Sequence, residues 1–242
     1  MNRRFAGLTD PGLVRATNQD NYYIDPAGRF FVVADGMGGH AGGQEASQIA
    51  ICHLQTYLDQ HWEAATPSPE LLGDALTEAN QKILADQRQH PERSDMGTTV
   101  VVVVFRQDQP WCAHVGDSRL YRLRETLEQM TEDETWVAQA IRAGELTARQ
   151  ARQHPWRHVL SKCLGRQDLS DIEVHPLDVK RGDRLLLCSD GLTEEVPDEL
   201  IENLLQSSAS CEEAATKLVE QAKQAGGADN VTVIVIAQDS QQ

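Results

Sequence analysis

Phe30 to Gly43, FFVVADGMGGHAGG, runs an apolar strand into an aspartate and a glycine-rich turn. Gly36, Gly38 and Ala41 match the G-x-G-x-x-A spacing that cradles a pyrophosphate, directly after a strand and ahead of a helix. Two features oppose a dinucleotide fold. An acidic side chain at the mouth of such a site repels the ligand, and the helical pattern that follows is succeeded by a second helix instead of a parallel strand. Those helices are marked by Ala46, Ile49, Ala50, His53, Tyr57 and Leu58, then by Leu72, Ala75, Leu76, Ala79, Ile83 and Leu84. No G-K-[ST] follows the glycines, so a P-loop is excluded as well.

Outward from that stretch, further strands are predicted at Val100 to Phe105, Trp111 to Asp117, Arg119 to Leu123, Arg184 to Asp190 and Val231 to Ala237. Several are apolar on both faces. A third long helix is expected from Cys211 to Ala225, with Gly226-Gly227 as its stop. A helix pair followed by three strands in close succession breaks the alternation of a doubly wound parallel sheet and predicts an α+β fold of packed sheets covered by helices. The polar stretch from about Asp133 to Ser161 reads as an insertion on the sheet edge, such as a lid. With 242 residues, no repeat and no Pro/Gly/Ser linker, residues 1–242 are expected to form one domain.

Lys and Arg total 22 against 37 Asp and Glu, a formal charge of −15 that repels nucleic acid and anionic membranes. No apolar run is long enough to span a bilayer, and MNRRFAGLTDPG lacks the core of a signal peptide, so a cytoplasmic protein without membrane or nucleic-acid partners is expected. The five cysteines form no C-x-x-C pair and read as reduced core thiols.

Aspartate recurs where strands run out: Asp35 in VVADG, Asp117 in HVGDSR, Asp190 in LLCSDG and Asp229 in GGADNVTV, with Asp20 in RATNQD ahead of the first strong strand. Each alone is ordinary turn chemistry. Gathered at one end of a core they repel one another and are costly without cations. Oxygen ligands without cysteine or an H-E-x-x-H pair select hard ions, Mg²⁺ or Mn²⁺. Two such ions side by side clamp a phosphate and acidify water, which is the chemistry of phosphate-ester hydrolysis.

RATNQD, VVADGMGGHAGG, DMGTT, HVGDSRLY, LLLCSDGLTE and GGADNVTV occur in that order across nearly the whole chain. Together they resemble the PPM, or type 2C, metal-dependent serine/threonine protein phosphatases in their short bacterial form. The resemblance implies a central antiparallel β-sandwich flanked by helix pairs, a two-metal centre at one end of it, and a phosphoprotein substrate. It implies that Asp35 bridges both metals, the Gly36 carbonyl binds the second, Asp190 and Asp229 bind the first, and Asp20 acts through a coordinated water. Asp117 would join Asp190 at a third ion. Arg15 matches the arginine that holds the substrate phosphate, which suits its guanidinium fork. The resemblance also implies direct attack by water, with no phosphoenzyme. Gly97, Thr98 and Thr99 of DMGTT would support the sheet, and Asn230 would brace Asp229.

Many eukaryotic relatives place a histidine, the proposed general acid, directly after the Asp-Gly. Here Met37 holds that place and His40 is the candidate acid, with a plain loop histidine as the alternative. The family's variable flap corresponds to about 133–161. Arg142, Arg149, Arg152, Arg157, Lys162 and Arg166 with only Glu145 make a local charge reversal that either docks an acidic phosphoprotein, shapes access to the metals or solvates a helix. His154 and His158 flank Pro155, which argues against a helical metal pair. The flap wording is similar to that of cyanobacterial members acting on the phosphorylated PII nitrogen-signalling protein, and so implies PII as substrate. A monomer is the default expectation. The competing readings are a catalytically weak phosphoprotein-binding module, opposed by the full aspartate set, and a nucleotide-binding oxidoreductase.

Overall fold

The computed structural model describes residues 3–38, 42–107 and 109–238. Val100 to Val104 are all fully buried, and the way this run divides between two cores sets the layers. Val100, Val102 and Val104 pack with Phe30, Val32 and Ala34 against helices. Val101 and Val103 turn the other way with Phe31 and Val33 to meet a second sheet. Alternation along a pleated strand puts successive side chains on opposite faces, so apolarity at every position means protein on both sides.

The strands are β1 (Arg3–Asp10), β2 (Asp20–Ile24), β3 (Phe30–Met37), β4 (Gly97–Thr98), β5 (Val100–Arg106), β6 (Gln109–Val115), β7 (Arg119–Leu123), β8 (Leu127–Gln129), β9 (Glu173–Pro176), β10 (Arg184–Cys188) and β11 (Val231–Gln238). One sheet has the order β1-β11-β10-β7-β8 and the other β2-β3-β5-β6-β9, with β4 paired to β3. Every pairing between them is antiparallel. β1 lies along β11 from Arg3 opposite Gln238 to Asp10 opposite Val231.

Helices α1 (Gly42–His61) and α2 (Ser68–Gln89) cover the outer face of the second sheet through Ala46, Ala50, Leu54, Leu58, Leu72 and Ile83. The buried face of α1 is centred on Leu54, one residue or about 100° around the helix from the His53 expected from spacing; His53 and Tyr57 are only partly buried. The short helices α3 (Trp136–Arg142) and α4 (Ala148–Arg152) follow β8. After α5 (Asp190–Thr193), helices α6 (Asp198–Ser207) and α7 (Cys211–Ala225) cover the first sheet. The result is the expected α+β sandwich of antiparallel sheets between helix layers. Ser210 Oγ accepts from Glu213 N at 3.1 Å to start α7, and the glycines predicted as its stop follow it.

Four of the cysteines are buried as expected, whereas Cys52 is exposed on the outer side of α1. No described helix is long and apolar enough to cross a membrane.

Candidate active site

Strand pairing brings the aspartates together. Asp20 opens β2 opposite Asp35 on β3. β10 and β11 are antiparallel with Cys188 opposite Val233, so Asp190, just after β10, and Asp229, just before β11, emerge at one end. Asp117 sits where the chain leaves β6 in one sheet for β7 in the other. Gly116 makes that crossing at φ +103°, and a Cβ there would stand 2.7 Å from Thr99 Cγ2. Asp35, Gly36, Asp117, Asp190, Asp229 and Arg15 line one cleft of about 210 Å³. Asp20 lies beneath it, 4% exposed.

Ser189 ties the two sheets together under the cleft. Its Oγ donates to Asp20 Oδ2 at 2.7 Å and accepts from Thr232 N at 3.0 Å. Thr98 Oγ1 donates to the Asp35 carbonyl at 2.8 Å, and Thr99 Oγ1 accepts from Asp35 N at 3.1 Å. The DMGTT segment therefore holds the backbone of Asp35, the supporting place expected of it.

Arg15 reaches in from the loop between β1 and β2, exposed at the rim, and its Nη2 donates to Asp229 Oδ2 at 2.7 Å. The residue expected to hold phosphate and one expected to hold metal thus touch. Gly12, at φ +76°, lets the loop pass so close that a Cβ would stand 2.2 Å from the Asp229 carbonyl. Asn230 serves this loop more than Asp229. Its Oδ1 accepts from Gln19 N at 2.8 Å and its Nδ2 donates to the carbonyls of Pro11 and Thr17 at 3.0 Å, while only its backbone N–H reaches Asp229 Oδ1, at 2.8 Å.

Burial, with repulsion among the carboxylates, favours their protonated forms. Burial first, then the charges of Asp190 and Asp229, push Asp20 up to about 7 against the hydrogen bond from Ser189. Burial and then Asp229 raise Asp190 to about 6. Asp35 and Asp117 are raised well above the usual carboxylate range by burial first, then by their acidic neighbours. Asp20 Oδ1 and Asp190 Oδ1 are buried without a hydrogen-bond partner. Among the described residues no three acidic, histidine or cysteine side chains already converge as a preformed metal shell. The carboxylates instead line a cleft whose repulsion and unpaired oxygens fit cations.

The segment expected to be a flap is rooted in the same place. Gly116 N donates to Glu134 Oε2 at 2.9 Å, Lys162 Nζ stands 2.8 Å from Glu134 Oε1, and Thr135 bridges Leu160. Trp136 stacks on His154 at 4.9 Å and meets the edge of Trp156 at 5.0 Å. Arg142, Arg157, Lys162 and Arg166 pair with Glu132, Glu194, Glu134 and Asp168, so most of the basic cluster is engaged within the chain. A second cavity of about 550 Å³ continues between α3 and α5–α6, sharing Asp117 and Asp190.

His40 lies outside the described residues. His158 and Leu160 line the cleft from the flap, a placement the sequence reading missed. Pro155 stands beyond the end of α4, in the HPWRH turn from His154 to His158 that brings His158 to the cleft.

The protein phosphatase 2C family model matches residues 14–231. The chain is 40% identical over 240 residues to the serine/threonine protein phosphatase PstP of Mycobacterium tuberculosis, covering 96% of this chain and 44% of that protein. It is 34% identical over 244 residues to the serine/threonine phosphatase stp of Listeria monocytogenes, covering 97% of this chain and 95% of that one. Its fold matches the crystal structure of the catalytic domain of PstP in complex with two manganese ions, with a TM-score of 0.88 at 36% identity over 98% of this chain and 99% of that one. The chain belongs to the protein phosphatase 2C family.

Proposed function

We propose that the chain is a Mg²⁺- or Mn²⁺-dependent phosphatase that hydrolyses phosphoserine and phosphothreonine in proteins. The observation that carries this reading is the convergence of Asp35, Asp117, Asp190 and Asp229 with Arg15 on one cleft. Asp35, the Gly36 carbonyl, Asp190 and Asp229 would hold two divalent ions, Asp20 would act at one remove, and Asp117 with Asp190 would hold a third. When bound, such ions neutralise the phosphate and make water acidic enough to attack at neutral pH. Arg15 leaves Asp229 to clamp two phosphate oxygens. Asp35 in VADGM lacks the second Asp two residues on that an aspartyl-phosphate mechanism needs, which favours direct attack by water and no phosphoenzyme.

A protein substrate fits the rim better than a small ester. Leu13, Val14, Ile141, Trp156 and Val159 are the exposed large apolar side chains among the described residues. All lie on the Arg15 loop or the flap, the segments that also bring Arg15, His158 and Leu160 to the cleft. The flap wording makes phosphorylated PII the substrate to test first, for a monomeric signalling enzyme of the cytoplasm, where unpaired cysteines are at home.

Phosphate release from a phosphothreonine peptide and from phosphorylated PII, with Mn²⁺ and with EDTA, tests the reading. Turnover should require the metal and fall roughly a thousandfold in Asp190→Ala, the scale of a lost electrostatic stabiliser. Activity that persists in EDTA or survives the substitution rules the reading out, and slow turnover of PII alone removes only the substrate assignment.

A further inference from the structure

Hydrolysis of a seryl or threonyl phosphate expels an alkoxide, a poor leaving group that needs a proton as the P–O bond breaks. The cleft is lined by carboxylates, and Arg15 cannot surrender a proton near neutral pH. Among the described residues His158 is the only histidine lining it, and neither lysine nor tyrosine does. Its Nδ1 stands 3.6 Å from Glu194 Oε1, next to Arg157 Nε, 3.7 Å from Glu194 Oε2. A carboxylate behind one ring nitrogen orients an imidazole and leaves the other nitrogen for a substrate oxygen. The charge of His158 reaches Asp190 in the cleft, where it works against the rise that burial and Asp229 impose on that carboxyl.

We propose that His158 is the general acid of this site, an inference that rests on the phosphatase reading above. Water oxygen bonds to phosphorus and the P–O bond to the side chain breaks. The imidazolium proton of His158 passes to the departing oxygen, giving a neutral serine or threonine. The water's proton goes to solvent, from which His158 is recharged. Glu194 is a positioning residue.

The proposal is tested by comparing a phosphothreonine peptide with p-nitrophenyl phosphate, whose leaving group departs without protonation. His158→Asn should cut kcat for the peptide about 10²-fold more than kcat for the aryl ester, the size of a general-acid contribution. Glu194→Gln should shift the same ratio in the same direction but less. The histidine ring resonance missing from His158→Asn should also move in wild-type protein when a phosphonate analogue of the phosphopeptide is added. An equal loss on both esters, as a distorted flap gives, overturns the proposal. So does an unchanged ratio in His158→Asn when His40→Asn lowers it. Wild-type protein that hydrolyses neither ester with Mn²⁺ overturns the phosphatase reading along with it.

Discussion

The four raised carboxyls make the stability of the metal-free protein fall as pH rises. A carboxyl with a raised native pKa stabilises the fold fully below its unfolded value, and that contribution is lost as pH climbs through the native one. With Asp190 at about 6 and Asp20 at about 7, the loss spans neutral pH. Burial holds His53 and His175 below the usual histidine value, an effect of opposite sign that is half complete at the unfolded value near pH 6.5 and finished about one unit above it, while Asp35 and Asp117, raised well above the usual carboxylate range, carry the loss on past it. In EDTA the melting temperature should therefore drop between pH 6.5 and 8, the drop should shrink in Asp20→Asn, and Mn²⁺ should raise the melting temperature most at pH 8. Thermal scans check this, and a melting temperature that rises over that range contradicts it. The aspartates were legible because each follows or precedes a strongly apolar strand. Ser189 was not, since a serine that bridges Asp20 and Thr232 carries no mark of its partners in sequence, and the service of Asn230 to the Arg15 loop depends on contacts more than 200 residues apart.

Interior strands were legible and edge strands were not. β3, β5, β6, β7, β10 and β11 were all anticipated, and they lie inside their sheets. β1, β2, β8 and β9 are the four edges, half solvated and mixed in polarity, so period and apolarity are both blurred there. α6 went unread because only Ile201 and Leu205 of its ten residues are buried. The flap was legible as an insertion, but its anchor was not. Glu134 is 8% exposed in its side chain and holds both Gly116 and Lys162. Glu134→Ala leaves the buried Gly116 N–H without its acceptor and takes from Lys162 its carboxylate, though not the Asp171 carbonyl to which its Nζ also donates, which should cost about 2 kcal/mol in urea unfolding and speed protease cutting between residues 143 and 159. Glu134→Gln, which keeps an acceptor, should cost about 1 kcal/mol. Wild-type stability in Glu134→Ala would show that the flap is anchored elsewhere.

Across the whole molecule, the sandwich depends on the layer between its sheets. Phe31 is fully buried there, with Phe5 at 5.2 Å and Phe105 at 6.0 Å, both edge-to-face. Phe31→Ala should cost about 3–5 kcal/mol. For a chain of this size that lowers the melting temperature by roughly 10 °C, measurable by calorimetry, and a shift under a degree or two would mean the layer repacks. The pairing of β1 with β11 has a further consequence. Arg3 and Gln238 are direct partners at one end of those strands, and Asp10 and Val231 close the other end beside Asp229. Eight residues of strand separate the two ends, roughly 25 Å. A module spliced onto either terminus would leave from a common seam on the rim facing away from the carboxylates. It would act on this protein as a tether that decides where the cleft is carried, and its reach would have to exceed the length of the sandwich before it could plug the cleft.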